Sequence, residues 1–130
     1  MPRLNETFCA DESGAFLNGR KIHVNNLPVD KCLYSICGTT PETTQATVKM
    51  LDYSGYYNRT SCAACIDYAF VAAGRLGGLA YVFHRHNLWD YVPGEFVIKQ
   101  AGGCIGWANG GRFAANSEEF IEVLKKTILP

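Results

Sequence analysis

The chain has 130 residues, nearly half of them apolar and 18% charged, and its twelve basic side chains balance twelve acidic ones. That length and composition suit one compact folded unit with a real core and exclude long disorder. A neutral chain without a basic run offers no broad attraction to nucleic acid or an anionic membrane, and no segment approaches the roughly 18 apolar residues that span a bilayer.

The polar start, Met1 to Glu12, holds no hydrophobic stretch of the signal-peptide kind, so a cytoplasmic location is the expectation. In that compartment Cys9, Cys32, Cys37, Cys62, Cys65 and Cys104 are reduced thiols, several of them buried as small apolar residues. Asn5-Glu6-Thr7 and Asn58-Arg59-Thr60 match the glycosylation sequon by chance on this reading.

In chain order, Thr7 to Cys9 are strand formers, Asp11 to Gly14 supply a turn, and Ala15 to Leu17 resume an extended run. Asn18-Gly19 is a two-residue turn signal, because both residues tolerate positive φ, and Lys21 to Val24 follow with alternating polarity. Cys32 to Cys37 read as a buried strand, and Pro41 opens a helix that ends at Ser54-Gly55. Tyr56-Tyr57 begin a further strand. Ser61 to about Gly74 is alanine-rich and helical, stopped by Gly77-Gly78. Leu79 to Phe83 is a strand, Asp90 begins a helix to Gln100, and Gly102-Gly103 end it. Short strands at Cys104 to Trp107 and Arg112 to Ala115 flank Asn109-Gly110-Gly111, and Ser117 caps an amphipathic last helix.

Strands alternating with helices predict an α/β fold, a mixed β-sheet layered with helices over residues 27–130. The opening hairpins, residues 1–26, break that alternation. They read as the edge of a separate antiparallel sheet whose other strands lie elsewhere.

The densest chemical signal is Trp89-Asp90-Tyr91-Val92-Pro93-Gly94 with Ala101-Gly102-Gly103. A carboxylate at a helix start is a well-placed hard ligand beside backbone N–H groups that suit an anion, although the same residue is an ordinary helix cap. The whole pattern resembles the second signature of the inositol monophosphatase family, W-D-x-x-x-G…E-A-G-G, with Gln100 in place of the Glu. Gly14-Ala15-Phe16-Leu17-Asn18-Gly19 resembles the family's G-A-F-x-N-G hairpin. Arg59 to Ala64, with Asp67 and Val71 to Leu76, resembles its substrate-facing helix, and Phe113-Ala114-Ala115-Asn116 its A-A-N run. The likeness covers nearly all of the chain.

The resemblance implies a magnesium-dependent phosphomonoesterase acting on a sugar or inositol phosphate, of which this chain is the C-terminal lobe. Several carboxylates hold the ions in that family, and Asp90 is the one metal ligand implied here. The family's D-P-x-D-G-T loop and Glu-Glu pair, which precede the G-A-F-x-N-G hairpin there, have no counterpart ahead of that hairpin here, so the isolated chain is expected to be inactive. Cys62, Ala63 and Ala64 stand where the family's G-[ST]-A meets the substrate, and Phe83 where many members carry a Glu that binds inositol hydroxyls. Arg59, Asp67 and Trp89 are expected to be structural supports.

Three other readings stand beside this one. Cys62-Ala63-Ala64-Cys65 is a C-x-x-C at a helix start, the placement used in thiol–disulfide exchange, but it lacks the usual cis-Pro and preceding aromatic residue. Cys62, Cys65, His84 and His86 offer four zinc-ligand side chains. The lobe is alternatively a non-catalytic binding or assembly module. Its cut edge then favours self-association or a separately encoded N-terminal lobe.

Overall fold

A computed structural model of the chain describes residues 1–38, 40–54, 58–61, 63–82 and 87–129. Three short antiparallel strands come first: β1 (Phe8–Asp11), β2 (Gly14–Leu17) and β3 (Arg20–Ile22), in that spatial order. The Asn18-Gly19 turn joins the last two, with φ of 50° and 78°, as the sequence predicts. The third strand stops at Ile22, two residues short of the expected end.

The second sheet contains β4 (Tyr34–Cys37), β5 (Gly78–Tyr81), β6 (Cys104–Ala108) and β7 (Gly111–Ala115) in the order β4-β5-β7-β6. The β4–β5 pair is parallel and the other two pairs are antiparallel, so the sheet is mixed. Tyr56 and Tyr57 lie outside the described residues. Next to them Asn58 bridges Tyr34 in parallel, and its Oδ1 accepts from the Ile36 amide at 2.8 Å.

Helices cover both faces of this sheet, and strand alternation decides what each face meets. Tyr34, Ile36, Ala80, Val82, Phe113 and Ala115 point to one side and pack with Ala46 and Met50 of α1 (Pro41–Ser54). Phe120, Ile121, Leu124 and Ile128 of α4 (Glu118–Ile128) complete that cluster. Leu79 and Ala114 point to the other side, against α2 (Ala64–Ala72) and α3 (Leu88–Gln100). Ala15 of the hairpin sheet joins this second cluster, so the small sheet shares its core with α2 and α3.

Polar ties hold the hairpin sheet and its connector in place. Arg75 pairs with Glu6, and the Asn25 side-chain amide donates to the Gly74 and Leu76 carbonyls. The Val24 amide donates to the Ala101 carbonyl at 3.1 Å. No helix among the described residues is long and apolar enough to cross a membrane.

Two helix starts differ from expectation. Helix α2 begins at Ala64 rather than Ser61, and α3 begins at Leu88, two residues before Asp90. Asn87, a good N-cap residue, takes the position that the sequence reading assigned nearer to Asp90. Gly94 and Gly102 carry the W-D-x-x-x-G and A-G-G pattern for separate reasons. Gly102 leaves α3 at φ 82°, where side chains are disfavoured. Gly94 lets α3 lie directly on the Tyr68 ring of α2, and a methyl group there would stand 2.4 Å from Tyr68 Cγ. Gly94→Ala is therefore expected to cost about 1–3 kcal/mol by overpacking, measured by urea denaturation. An unchanged midpoint would show that the helices separate freely.

Candidate functional site

The sheet register aligns four side chains across one row, Cys37 on β4, Tyr81 on β5, Arg112 on β7 and Trp107 on β6. They lie at the carboxyl end of the parallel pair, on the side covered by α2 and α3. Parallel strands end there together, and helix starts return above them. Open α/β sheets place ligands in the same kind of crevice.

Asp67 of α2 closes one end of the row. It is fully buried, and its Oδ2 accepts from Ser35 Oγ at 2.8 Å, Cys37 Sγ at 2.9 Å and Thr60 Oγ1 at 3.2 Å. Its Oδ1 accepts from the Ser61 amide at 3.0 Å, which fixes the chain entering α2. A buried carboxylate is tolerable only when saturated in this way, and Asp67 is the structural support that the sequence predicts. The side chains of Arg59 and Trp89 are exposed, Trp89 at 71%, while the Arg59 amide donates to the Tyr34 carbonyl at 2.7 Å and ties its segment to β4.

Glu95 of α3 closes the other end. It is nearly buried, accepts from Arg112 Nη1 at 2.9 Å, and receives a long contact from Trp107 Nε1 at 3.5 Å. Between the two ends Tyr81 is half-buried. Burial, and then the Asp90 carboxylate, push its phenol above the ordinary range.

Asp90 is the third residue of α3, and its carboxylate turns back on its own helix. Oδ2 accepts from the Asn87 amide at 3.1 Å and from Asn87 Nδ2 at 3.4 Å. Oδ1 has no hydrogen bond among the described residues. Across the gap, Cys65 in the first turn of α2 donates to the Trp89 carbonyl at 3.4 Å, so the starts of α2 and α3 adjoin. Ala63 and Ala64 stand at that α2 start, with Ala63 as an N-cap whose side chain makes no capping bond. Cys62 and Phe83 lie outside the described residues, as do His84 and His86.

One carboxylate does not make a magnesium site, which needs several oxygen ligands near octahedral geometry. Among the described residues no group of three or more His, Cys, Asp or Glu is placed to hold a metal. These residues alone therefore do not fit the ion, and any further ligands lie outside them. Neither Cys37 nor Cys32 suits redox chemistry. Burial raises both thiols, and Cys37 is pushed up to about 12 with the Asp67 carboxylate adding to the effect.

Sequence reasoning missed Tyr81, Glu95 and Arg112. The available signal was a single charged residue in an otherwise apolar strand, Arg112 before Phe113-Ala114-Ala115, and a lone acid after Gly94.

The mixed sheet layered between helices, with two helix starts adjoining on one face, defines a layered α/β protein, and the comparisons specify which. The model of the inositol monophosphatase family matches residues 1–129. A Thermotoga maritima fructose-1,6-bisphosphatase/inositol-1-monophosphatase is 34% identical over 122 residues, covering 92% of this chain and 46% of its own length. Inositol monophosphatase 1 of Solanum lycopersicum is 30% identical, covering 90% of this chain and 45% of its own. Among solved structures, the Thermotoga maritima IMPase superposes with a TM-score of 0.82 at 28% identity, over 98% of this chain and 54% of that one. The extragenic suppressor protein suhB of Bartonella henselae does so with 0.83 at 25%, over 98% and 54%. The chain belongs to the inositol monophosphatase family. It spans about half the length of the relatives it matches.

The Cys37 thiol makes stability depend on pH. Folded, it keeps its proton up to about pH 12, whereas an unperturbed thiol loses it near 9.0. The unfolded chain then binds fewer protons than the folded one between those values, so stability is intact below about pH 9 and falls above it. The slope is up to about 1.4 kcal/mol per pH unit. Urea titrations at pH 8 and 10.5 are expected to show the fall, and Cys37→Ser to lessen it. Equal slopes in both proteins would mean that Cys37 ionises freely in the folded state.

Proposed function

We propose that this chain is the C-terminal part of a magnesium-dependent phosphomonoesterase acting on a small phosphorylated polyol or sugar, without activity by itself. The observation that carries the reading is the meeting of the α3 start, which carries Asp90, with the α2 start, joined through the Cys65 contacts to the Trp89 and Asp90 carbonyls. In this reading Asp90 keeps Oδ2 on its helix cap and offers Oδ1 to a metal. Asp90 would hold such an ion only jointly with carboxylates from an N-terminal lobe, and a divalent cation bound that way would supply charge stabilisation to the phosphate. The α2 start, with the small residues Ala63 and Ala64, would give the substrate close access to a helix N-terminus. The names of the relatives, a fructose-1,6-bisphosphatase/inositol-1-monophosphatase and an inositol monophosphatase, support a sugar or inositol phosphate. No hydrolytic step is assigned to the described residues alone.

A second reading keeps the family and drops catalysis. Leu88, Trp89, Val92 and Phe96 are all exposed on α3, with Trp89 at 71%. An apolar stripe of this kind suits self-association or contact with an N-terminal lobe.

Two measurements on the chain test the main reading. Phosphate release from inositol 1-phosphate or fructose 1,6-bisphosphate with magnesium is expected to stay at the uncatalysed level, and release above it would overturn the incompleteness. Manganese, titrated as a paramagnetic substitute, is expected to broaden the amide signals of Asp90 and the α2 start first, and no longer to do so in Asp90→Asn. Broadening spread evenly over the surface acids would remove Asp90 as a ligand.

A further inference from the structure

The first turn of α3, which carries Asp90, is capped by the Asn87–Asp90 pair but buries little of its own surface. Leu88, Trp89, Val92 and Pro93 are all exposed, and the first buried residues of the helix are Gly94 and Glu95. Pro93 has no N–H, so the bond it would make to the Trp89 carbonyl, four residues back, is missing. Cys65 Sγ takes up that carbonyl at 3.4 Å, a weak substitute. The proline thus divides α3 into a short leading turn and a packed body.

Arg112 touches both parts. Its guanidinium lies over the Tyr91 ring, Cζ 3.3 Å from the centroid, and Nη1 donates to Glu95 Oε1 at 2.9 Å. Tyr91 precedes the proline and Glu95 follows it, four residues apart and so on one face of the helix. Trp107 flanks the same guanidinium at 5.6 Å and its Nε1 reaches Glu95 at 3.5 Å. Planarity matters here. A guanidinium stacks on a ring and donates in its own plane at once, which an ammonium cannot.

We infer that Arg112 is a positioning residue that clamps the leading turn of α3 across the Pro93 break, holding Asp90 against the α2 start. Its bearing on function rests on the reading of Asp90 as a metal ligand, whereas the clamp itself does not. The pair is also not a mere core ion pair, because it is placed where the helix lacks a bond of its own.

Amide hydrogen exchange by NMR on the full chain, without metal, tests this. In Arg112→Met the amides of Asn87, Asp90 and Tyr91 are expected to exchange about tenfold faster, with the amides of β4, β5 and β7 unchanged. The Asn87 amide proton, which reports its bond to the Asp90 carboxylate, is expected to shift upfield. Adding Pro93→Ala, which restores the missing helix bond, is expected to bring exchange back to within about twofold of the parent. Arg75→Met, which breaks the pair with Glu6, serves as the control that leaves the α3 start unaltered. If Arg112→Met does not fold, Glu95→Gln provides the same readout. Unchanged exchange at the three amides, a uniform rise across the sheet, or no rescue by Pro93→Ala would each overturn the clamp. Exchange as expected together with even manganese broadening would leave the clamp standing and remove the metal reading alone.

Discussion

The close approach of α2 and α3 depends on the Tyr68 ring lying on the bare backbone at Gly94. Tyr68 is fully buried between the two helices and the sheet, and there is no room for a side chain beneath it. Because the helices are that close, their first turns adjoin, and a cysteine on one reaches a carbonyl on the other. A wider spacing would keep the same secondary structure but take Asp90 away from the α2 start. The glycine of the W-D-x-x-x-G pattern thus acts on the site through packing, at a distance from the carboxylate it accompanies.

Beneath those helices the sheet carries polar groups where a core would ordinarily be apolar. Asp67 and Glu95 are both buried, at opposite ends of a row running through Cys37, Tyr81, Arg112 and Trp107. Each acid is compensated differently. Asp67 collects neutral donors from β4 and from the chain entering α2, which makes it a fastener for the α2 start. Glu95 is matched by one arginine that is itself stacked on aromatic rings. Such networks contribute little net stability over an apolar alternative, but losing one partner is costly. They suit a place where orientation matters more than strength.

The family assignment and the half-length match bear on one another. The apolar stripe on α3, from Leu88 to Phe96, faces solvent in this chain. The relatives are about twice as long as this chain. A lone Asp90 and an uncovered stripe are both intelligible if further structure is needed to complete the crevice.

Much of the fold was legible in the sequence, since its signals are local. The Asn18-Gly19 turn, the Pro41 helix start, the alanine-rich α2 and the Ser117 cap each follow from the conformational preferences of a few adjacent residues. Family motifs pointed to Asp90 and the α2 start, because those residues recur in order at fixed spacing. Only the structure decided that Asp90 lies inside the first turn of α3 and backs the Asn87 N-cap, since either residue has the chemistry to serve as that cap. It alone placed Tyr81, Arg112 and Trp107 in one row and set Arg112 across the proline, because strand register and helix packing join residues far apart in the chain. Trp89 shows the same limit: the sequence carries a large aromatic residue in a family motif, and only the packing of α3 decides that its side chain faces solvent.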